Sequence, residues 1–435
     1  MRLLENTKLL GVILVSACHT DLGDANERAS GYYARPWRWT DIAANATWIE
    51  QFHSLDDPFI PISEARHVAS SLGLVAGETY HEFENRSHFF SPPFDELIDI
   101  LKRRGAFSRH RGFNDLLNDI VADGRPRVAI LDGGFSTQLE KRGVKSHLES
   151  DLWTAKVLMD TPEHVCDVHS DFLSAGADVI ITSTYQASVP TLMKTGNMDV
   201  PEAEALMKSA VRIAKQAVEQ TCGRVIPLVA ASCGCFGATR SDGSEYTGDY
   251  RGMSIEALAE FHAERLRVLL SGSEAETPDV VAFETIPSCG EVRAIVRALE
   301  QVYENCSLPL RDCWITCCCK DSVHLSSGEP FSEAAAIASS SKYVNAVGVN
   351  CTPPEFVLDL LKAARAAAPS AHLVCYPNSG ESFNAQDKSW SKGDADSLSL
   401  PVLGAKWRDE GGATFIGGCC RVDSSAISDL KAALQ

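Results

Sequence analysis

Three cysteine groups carry the clearest chemical signal in the chain. Cys419 and Cys420 follow Gly417-Gly418, Cys351 follows Asn350, and Cys317-Cys318-Cys319 form an unbroken run. Zinc favours thiolates, and a catalytic zinc keeps three protein ligands with a fourth position open. Cys351, Cys419 and Cys420 make a sulfur-only set of that kind. In a regular strand, Cys419 and Cys420 would face opposite ways. They converge on one ion only if the chain leaves strand geometry there, which Gly417-Gly418 permits. The pair also fits buried small hydrophobes or a vicinal disulfide, and on the residues alone both readings stand. Cys317 to Cys319, and the C-x-C formed by Cys233 and Cys235, read as core residues of cysteine-rich strands. No histidine follows a strand end in a ligand-like pair.

Such distant residues need a scaffold that gathers them. From Val128 onward, apolar β-rich runs recur at Val128–Leu131, Asp178–Thr184, Ile226–Ala231, Val280–Thr285, Trp314–Cys318, Asn345–Asn350, His372–Tyr376 and Ala413–Ile416. Near-continuous apolar strands suit a parallel sheet covered on both faces. Helical patterns fill most gaps, at Glu163–Ala175, Pro201–Gln220, Ile255–Leu270, Glu291–Val302, Pro354–Ala367 and Asp423–Leu434, several with Ser, Asp, Pro or Thr at the cap. Eight strands and eight helical slots over about 310 residues predict an α/β fold, a (β/α)8 TIM barrel. A doubly wound sheet is the rival, but no G-x-G-x-x-G follows the first strand.

Chemistry in such a barrel sits where strands end and loops begin. Those positions hold Asp132-Gly133-Gly134-Phe135, Thr184-Tyr185, Glu284-Thr285, Asn350-Cys351, Asn378 to Glu381, and Gly417 to Arg421. Residues 1–125 read differently, with Trp37, Trp39 and Trp48 close together and short amphipathic helices at Asp95–Arg104 and Asn114–Val121. The expected organisation is an α-rich N-terminal extension of unassigned role over 1–125 and a barrel over 126–435.

Composition bounds the function. Of 435 residues, 45% are hydrophobic and 23% charged, so a large core is available. A net charge of −18 repels phosphate backbones and argues against a nucleic-acid partner. Fifteen unevenly placed cysteines suit a reducing compartment better than a disulfide scaffold. Leu9–Ala17 resembles a weak secretory signal, and Val15-Ser16-Ala17-Cys18 a lipoprotein cleavage site, but the run is too short to span a bilayer. The expectation is a cytoplasmic protein with no membrane partner.

Seven segments resemble the homocysteine S-methyltransferase family, in order, over residues 126–435. They are Ile130 to Gly134, Thr182 to Ala187, Asp242 to Tyr250, Phe283 to Thr285, Gly348 to Cys351, Tyr376 to Glu381 and Gly417 to Arg421. The Asp242–Tyr250 loop and Tyr376–Glu381 are most similar to the branch using S-methylmethionine or S-adenosylmethionine. The resemblance implies that Cys351, Cys419 and Cys420 bind zinc, and that Asp132 and Glu284 hold the substrate ammonium. It also sets Tyr185 beside the metal. Without it, the Asp reads as a turn former, the Glu as a helix cap and the Tyr as core. The N-terminal extension and the Ser-rich stretch Asp387–Leu400 depart from the family pattern.

The expected reaction follows. A thiol with a pKa near 8.5 is mostly protonated at neutral pH, and zinc deprotonates a coordinated thiol. Homocysteine sulfur then attacks the methyl of a sulfonium in line, where alignment of the two substrates is the chief demand. Backbone N–H groups around Gly133 suit the substrate carboxylate. The loop Arg240–Tyr250 is longer than usual for this face. Its three carboxylates and two aromatic rings, with Asp249 and Tyr250 singled out, suit a sulfonium by charge and cation–π contact. S-Methylmethionine is the expected donor, S-adenosylmethionine a weaker one, and the product methionine. The rivals are a betaine-dependent methyltransferase and a non-catalytic zinc or thiol redox sensor. No D-x-H-x-x-G corrinoid motif occurs.

Overall fold

The eight expected strands form one parallel sheet. In chain order they are β1 (Ala129–Ile130), β2 (Val179–Ile181), β3 (Leu228–Gly234), β4 (Val280–Ile286), β5 (Asp312–Cys317), β6 (Ala346–Asn350), β7 (His372–Tyr376) and β8 (Phe415–Ile416). Strand β1 pairs with β8, and the order runs back through the sheet to β2. A parallel bridge between Leu131 and Val179 joins the two edges, with Asp178 N–H donating to Ile130 O at 2.7 Å. The fold is a (β/α)8 barrel. This computed structural model describes residues 12–15, 20, 22, 38–44, 46, 49–85, 111–150, 152–221, 225–384, 389–391 and 399–435.

Alternation along each strand separates two apolar layers. Ile130, Val281, Phe283 and Ile315 face the helices, whereas Ala129, Ala230, Ala282 and Ala346 face the barrel axis. Small residues on the axis leave room for Trp314 and Tyr376, both buried there. The outer helices are α1 (Pro162–Ser174), α2 (Val200–Glu219), α3 (Ile255–Leu270), α4 (Cys289–Asn305), α5 (Phe331–Ser339), α6 (Val357–Ala367), α7 (Leu400–Asp409) and α8 (Ser424–Leu434). Side chains satisfy their first N–H groups where the sequence supplied caps. Asp199 and Glu202 form a reciprocal capping box on α2, and Ser254, Ser288 and Asp423 cap α3, α4 and α8. Before α7, Ser382–Asn384 and Ser389–Ser391 pair antiparallel, the second of them inside the Asp387–Leu400 stretch that departs from the family pattern.

The expected boundary near 125 shifts. The chain divides into compact units Met1–Arg109 and His110–Gln435. The helix Phe113–Ala122, foreseen as part of the extension, belongs to the barrel. Its Phe113, Leu116, Leu117 and Ile120, at i, i+3, i+4 and i+7, are wholly buried against the axial residues. Phe113 packs on Phe415 and Trp314 with ring centroids 4.7 and 5.9 Å away. Its N–H donates to Asp312 at 2.6 Å, so the helix floors the end where strands begin.

The first unit is α/β rather than α-rich. Val12–Val15, Ile49–Ser54 and Tyr80–Phe83 form a parallel three-stranded sheet, flanked by helices Trp39–Ala44 and Ile62–Leu72. All six residues of Ile49–Ser54 are buried, including Glu50, which meets His81 at 2.7 Å. The signal-like run Leu9–Ala17 thus contributes Val12–Val15 as a strand in its described part. The expected helix Asp95–Arg104 lies outside the described residues. No helix among the described residues is long and apolar enough to cross a membrane.

Replacing Phe113 with Ala removes a buried ring from the barrel floor and is expected to cost about 3–5 kcal/mol. Thermal unfolding followed by near-UV circular dichroism should show a lower transition, with activity at 25 °C retained by the folded fraction. An unchanged transition would mean that this helix does not close the barrel.

Candidate active site

At the ends of β6 and β8, the sulfurs of Cys351, Cys419 and Cys420 all lie within 4.8 Å of one another. No other group of His, Cys, Asp or Glu among the described residues is arranged to hold a metal ion in this way. Strand β7 lies between β6 and β8 and pins both. Cys351 N–H donates to Tyr376 O at 3.4 Å, and Cys419 N–H to Pro377 O at 2.7 Å. Cys420 O in turn accepts from Ser379 N–H at 3.1 Å.

Cys351 has φ 47° and Arg421 φ 66°, left-handed values that non-glycine residues adopt only when surroundings over-determine them. The glycines before Cys419 act by size rather than by φ. A Cβ on Gly417 would lie 2.6 Å from Leu131, and one on Gly418 2.2 Å from Val422. The chain leaves strand geometry after Ile416, as convergence of the two adjacent thiols requires. Arg421 Nε closes this turn on Glu381 Oε2 at 2.6 Å, tying the eighth strand end to the seventh.

The thiols are free, so the vicinal-disulfide reading does not describe this state. A tetrahedral site with zinc–sulfur bonds of about 2.3 Å sets its sulfurs roughly 3.8 Å apart. Cys351 Sγ and Cys419 Sγ stand 2.6 Å apart, so this pair must open to hold such an ion. Hydrogen bonds from Cys351 and Cys419 hold the Cys420 thiol well below its usual range. The donor set fits a thiophilic cation.

Cys317, Cys318, Cys319, Cys233 and Cys235 are buried, as expected of core residues. Cys318 is committed, donating to Glu245 O at 3.3 Å and accepting from Ser326 Oγ at 3.2 Å.

Two buried carboxylates share the mouth. Asp132, 2% exposed, accepts from Ile181 N–H at 2.7 Å. Burial pushes its carboxyl well above the usual range, and the charge of Glu284 adds to this. Glu284 accepts from Ser232 Oγ and, at 3.0 Å, from the Tyr376 hydroxyl. Trp314 Nε1 donates to that hydroxyl at 3.1 Å, so the axial residues form the floor under Glu284. Burial raises Glu284 as well, and the bonds from Ser232 and Tyr376 offset only part of the rise. Two enclosed carboxylates that repel each other make a site for a cation. After Glu284 the chain turns at Thr285, φ 60°, which Asn350 staples in place. Asn350 Oδ1 accepts from Thr285 N–H at 2.7 Å, and its Nδ2 donates to Thr285 Oγ1 at 2.8 Å.

The Tyr185 ring lies over Gly234, where a Cβ would come within 2.7 Å of it. Burial raises its phenol, which also feels Cys351. Arg265, buried on α3, donates to Tyr185 O at 3.1 Å and Gly234 O at 2.6 Å, fixing this crossing. Gly133 and Gly134 pack beneath the thiol loop. A Cβ on Gly133 would lie 2.4 Å from Val422 O, and one on Gly134 2.5 Å from Cys419 O. The Gly134 N–H is already spent on Val422 O at 2.8 Å.

Asp249 and Tyr250 do not join the thiols. Asp249 is exposed and accepts from Arg251 N–H at 3.0 Å. Tyr250, 6% exposed, packs with Leu258, Ala259 and Ala294 and donates to Glu291 Oε2 at 2.6 Å. Glu291 also accepts from Phe236 N–H at 2.6 Å, so Tyr250 and Phe236 anchor the two ends of the long loop to α4. Sequence reasoning missed Ser232, Asn350, Tyr376, Arg265, Glu245 and Tyr246. Four of these, Asn350, Tyr376, Glu245 and Tyr246, stand inside the quoted segments beside the residues singled out there.

Residues 129–434 match the family described as homocysteine S-methyltransferase. Homocysteine S-methyltransferase 1 of Zea mays is 39% identical over 331 residues, covering 74% of this chain and 98% of its own. Homocysteine S-methyltransferase YbgG of Bacillus subtilis is 36% identical over 319 residues, covering 72% and 96%. The metallated crystal form of the homocysteine methyltransferase MmuM from Escherichia coli superposes with TM-score 0.60 and 33% identity, over 72% of this chain and 99% of that one.

Removing the Tyr250 hydroxyl (Tyr250→Phe) leaves a buried acceptor on Glu291 unpaired and is expected to cost about 1–3 kcal/mol. Limited proteolysis should then cut the Arg240–Tyr250 loop faster, with homocysteine affinity unchanged. Wild-type stability and loop protection would contradict the anchoring role.

Proposed function

The chain belongs to the homocysteine S-methyltransferase family, and from that premise we propose zinc-dependent methyl transfer from a sulfonium donor to L-homocysteine, giving methionine. The observation that carries this reading is the three-thiol set beside two buried carboxylates. Cys351, Cys419 and Cys420 would hold the zinc ion. The chemistry zinc supplies in such a site is to lower the pKa of an added thiol, so that the nucleophile is a thiolate at neutral pH.

The chain's own residues do the rest. Asp132 and Glu284 receive the homocysteine ammonium, which offsets the desolvation of all three charges. The substrate sulfur then has one approach, fixed from its other end. Ser232 and Tyr376 hold Glu284 in the orientation that serves this contact. Tyr185, whose phenol feels the Cys351 charge, would narrow the donor's approach so that the donor methyl and acceptor sulfur meet in line. Gly133 acts through the close packing it allows under the thiol loop. S-Methylmethionine is the proposed donor, with S-adenosylmethionine weaker and betaine unused. A reducing cytoplasm suits a site whose three thiols must stay reduced.

Purified protein supplied with homocysteine and each donor in turn tests the reading. The expected result is turnover with S-methylmethionine, slower turnover with S-adenosylmethionine and none with betaine. Chelation should abolish activity and zinc should restore it, while Cys351→Ala loses both zinc and activity. Robust turnover with betaine, or full activity in Cys351→Ala, would overturn it.

A further inference from the structure

The loop that joins β3 to α3 folds back over the mouth. Two short 3-10 turns, Phe236–Arg240 and Ser244–Tyr246, are linked by a left-handed Gly243 at φ 79°. The backbone of Glu245 is gripped from two sides. A Cβ on Gly237 would lie 2.5 Å from Glu245 N, and the Cys318 thiol donates to Glu245 O at 3.3 Å. A side chain on so fixed a backbone has a defined direction.

That side chain is unfinished. Glu245 Oε2 is enclosed and has no hydrogen-bond partner among the described residues. An enclosed carboxylate oxygen without a donor is costly unless a cation arrives. Its neighbours are two phenols. Tyr185 feels the charges of Tyr246, Cys351 and Glu245, and Tyr246 those of Cys351, Cys420, Glu245 and Cys419. Tyr246 is half exposed, so the space opens to solvent on one side. Asp132 and Glu284 already answer the homocysteine ammonium, which leaves Glu245 for a different positive charge.

We propose that Glu245, flanked by Tyr246 and Tyr185, seats the cationic methyl donor beside the thiols, its carboxylate supplying the counter-charge to the sulfonium. This rests on the sulfonium reading above. A carboxylate with aromatic faces suits a cation clothed in methyl and methylene groups. In the transfer, the donor sulfur–methyl bond breaks and its electron pair stays on the donor sulfur, which becomes a neutral thioether. The new bond uses the thiolate's electron pair, so positive and negative charge cancel together. The attraction to Glu245 is therefore greatest before transfer and fades as the sulfonium is discharged. It acts on donor binding more than on the chemical step.

Steady-state kinetics on Glu245→Gln with S-methylmethionine tests this. Loss of one charge-assisted contact is expected to raise the donor KM about 10- to 100-fold. The homocysteine KM and zinc content should stay within about 2-fold, and kcat should fall less than the donor KM rises. Glu245→Asp should recover part of the loss, and Tyr246→Leu, at a half-exposed position that tolerates change, should raise the donor KM alone. Wild-type turnover with an unchanged donor KM in Glu245→Gln would overturn the role of Glu245 and leave the sulfonium reading standing. Absence of wild-type turnover with either sulfonium would overturn that reading, and the seat with it.

Discussion

The site depends on β7 as a clamp. Cys351 and Cys419 belong to segments 68 residues apart, and each hangs from a carbonyl at the end of β7, Tyr376 O or Pro377 O. Barrel order makes this possible, because β6 and β8 are the two neighbours of β7. Sulfur positions are then inherited from a buried hydrogen-bond ladder rather than from a flexible loop. The left-handed backbone at Cys351 and Arg421 is the local cost of turning the thiols inward, and the bonds around each turn hold it there.

The same strand end links the thiols to the buried carboxylates. Tyr376 gives its carbonyl to Cys351 and its hydroxyl to Glu284, so one residue sets both a thiol and a carboxylate. Asn350 does likewise from β6, preceding Cys351 while stapling the turn after Glu284. Such couplings leave little freedom for a ligand to drift. Burial raises Asp132 and Glu284 together, and the proposed ammonium would offset their repulsion. Glu245, on a separately anchored backbone, is a third enclosed carboxylate, and its Oε2 has no hydrogen-bond partner among the described residues.

Much of this was legible in the sequence, for definite reasons. The barrel strands are near-continuous apolar runs, and the residues after them fell at the mouth because a parallel barrel turns all its strand ends one way. Cys351, Cys419, Cys420, Asp132, Glu284 and Tyr185 came from that rule together with the family resemblance. The long loop was opaque. It has no periodicity, and its 3-10 turns separate Tyr246, half exposed, from Tyr250, in the core against α4. The parallel sheet of the first unit was hidden because its central strand Ile49–Ser54 buries polar residues, which breaks the apolar pattern. The floor helix carried a clear 3.6-residue pattern, but nothing in that pattern says which core it faces.

X-ray absorption at the zinc edge, on the purified full chain with and without homocysteine, tests the central claim most directly. The account predicts three sulfur ligands at about 2.3 Å with one lighter atom in the resting protein, and four sulfurs once homocysteine is added. A ligand shell that homocysteine leaves unchanged, or one already closed by four protein ligands, would contradict it.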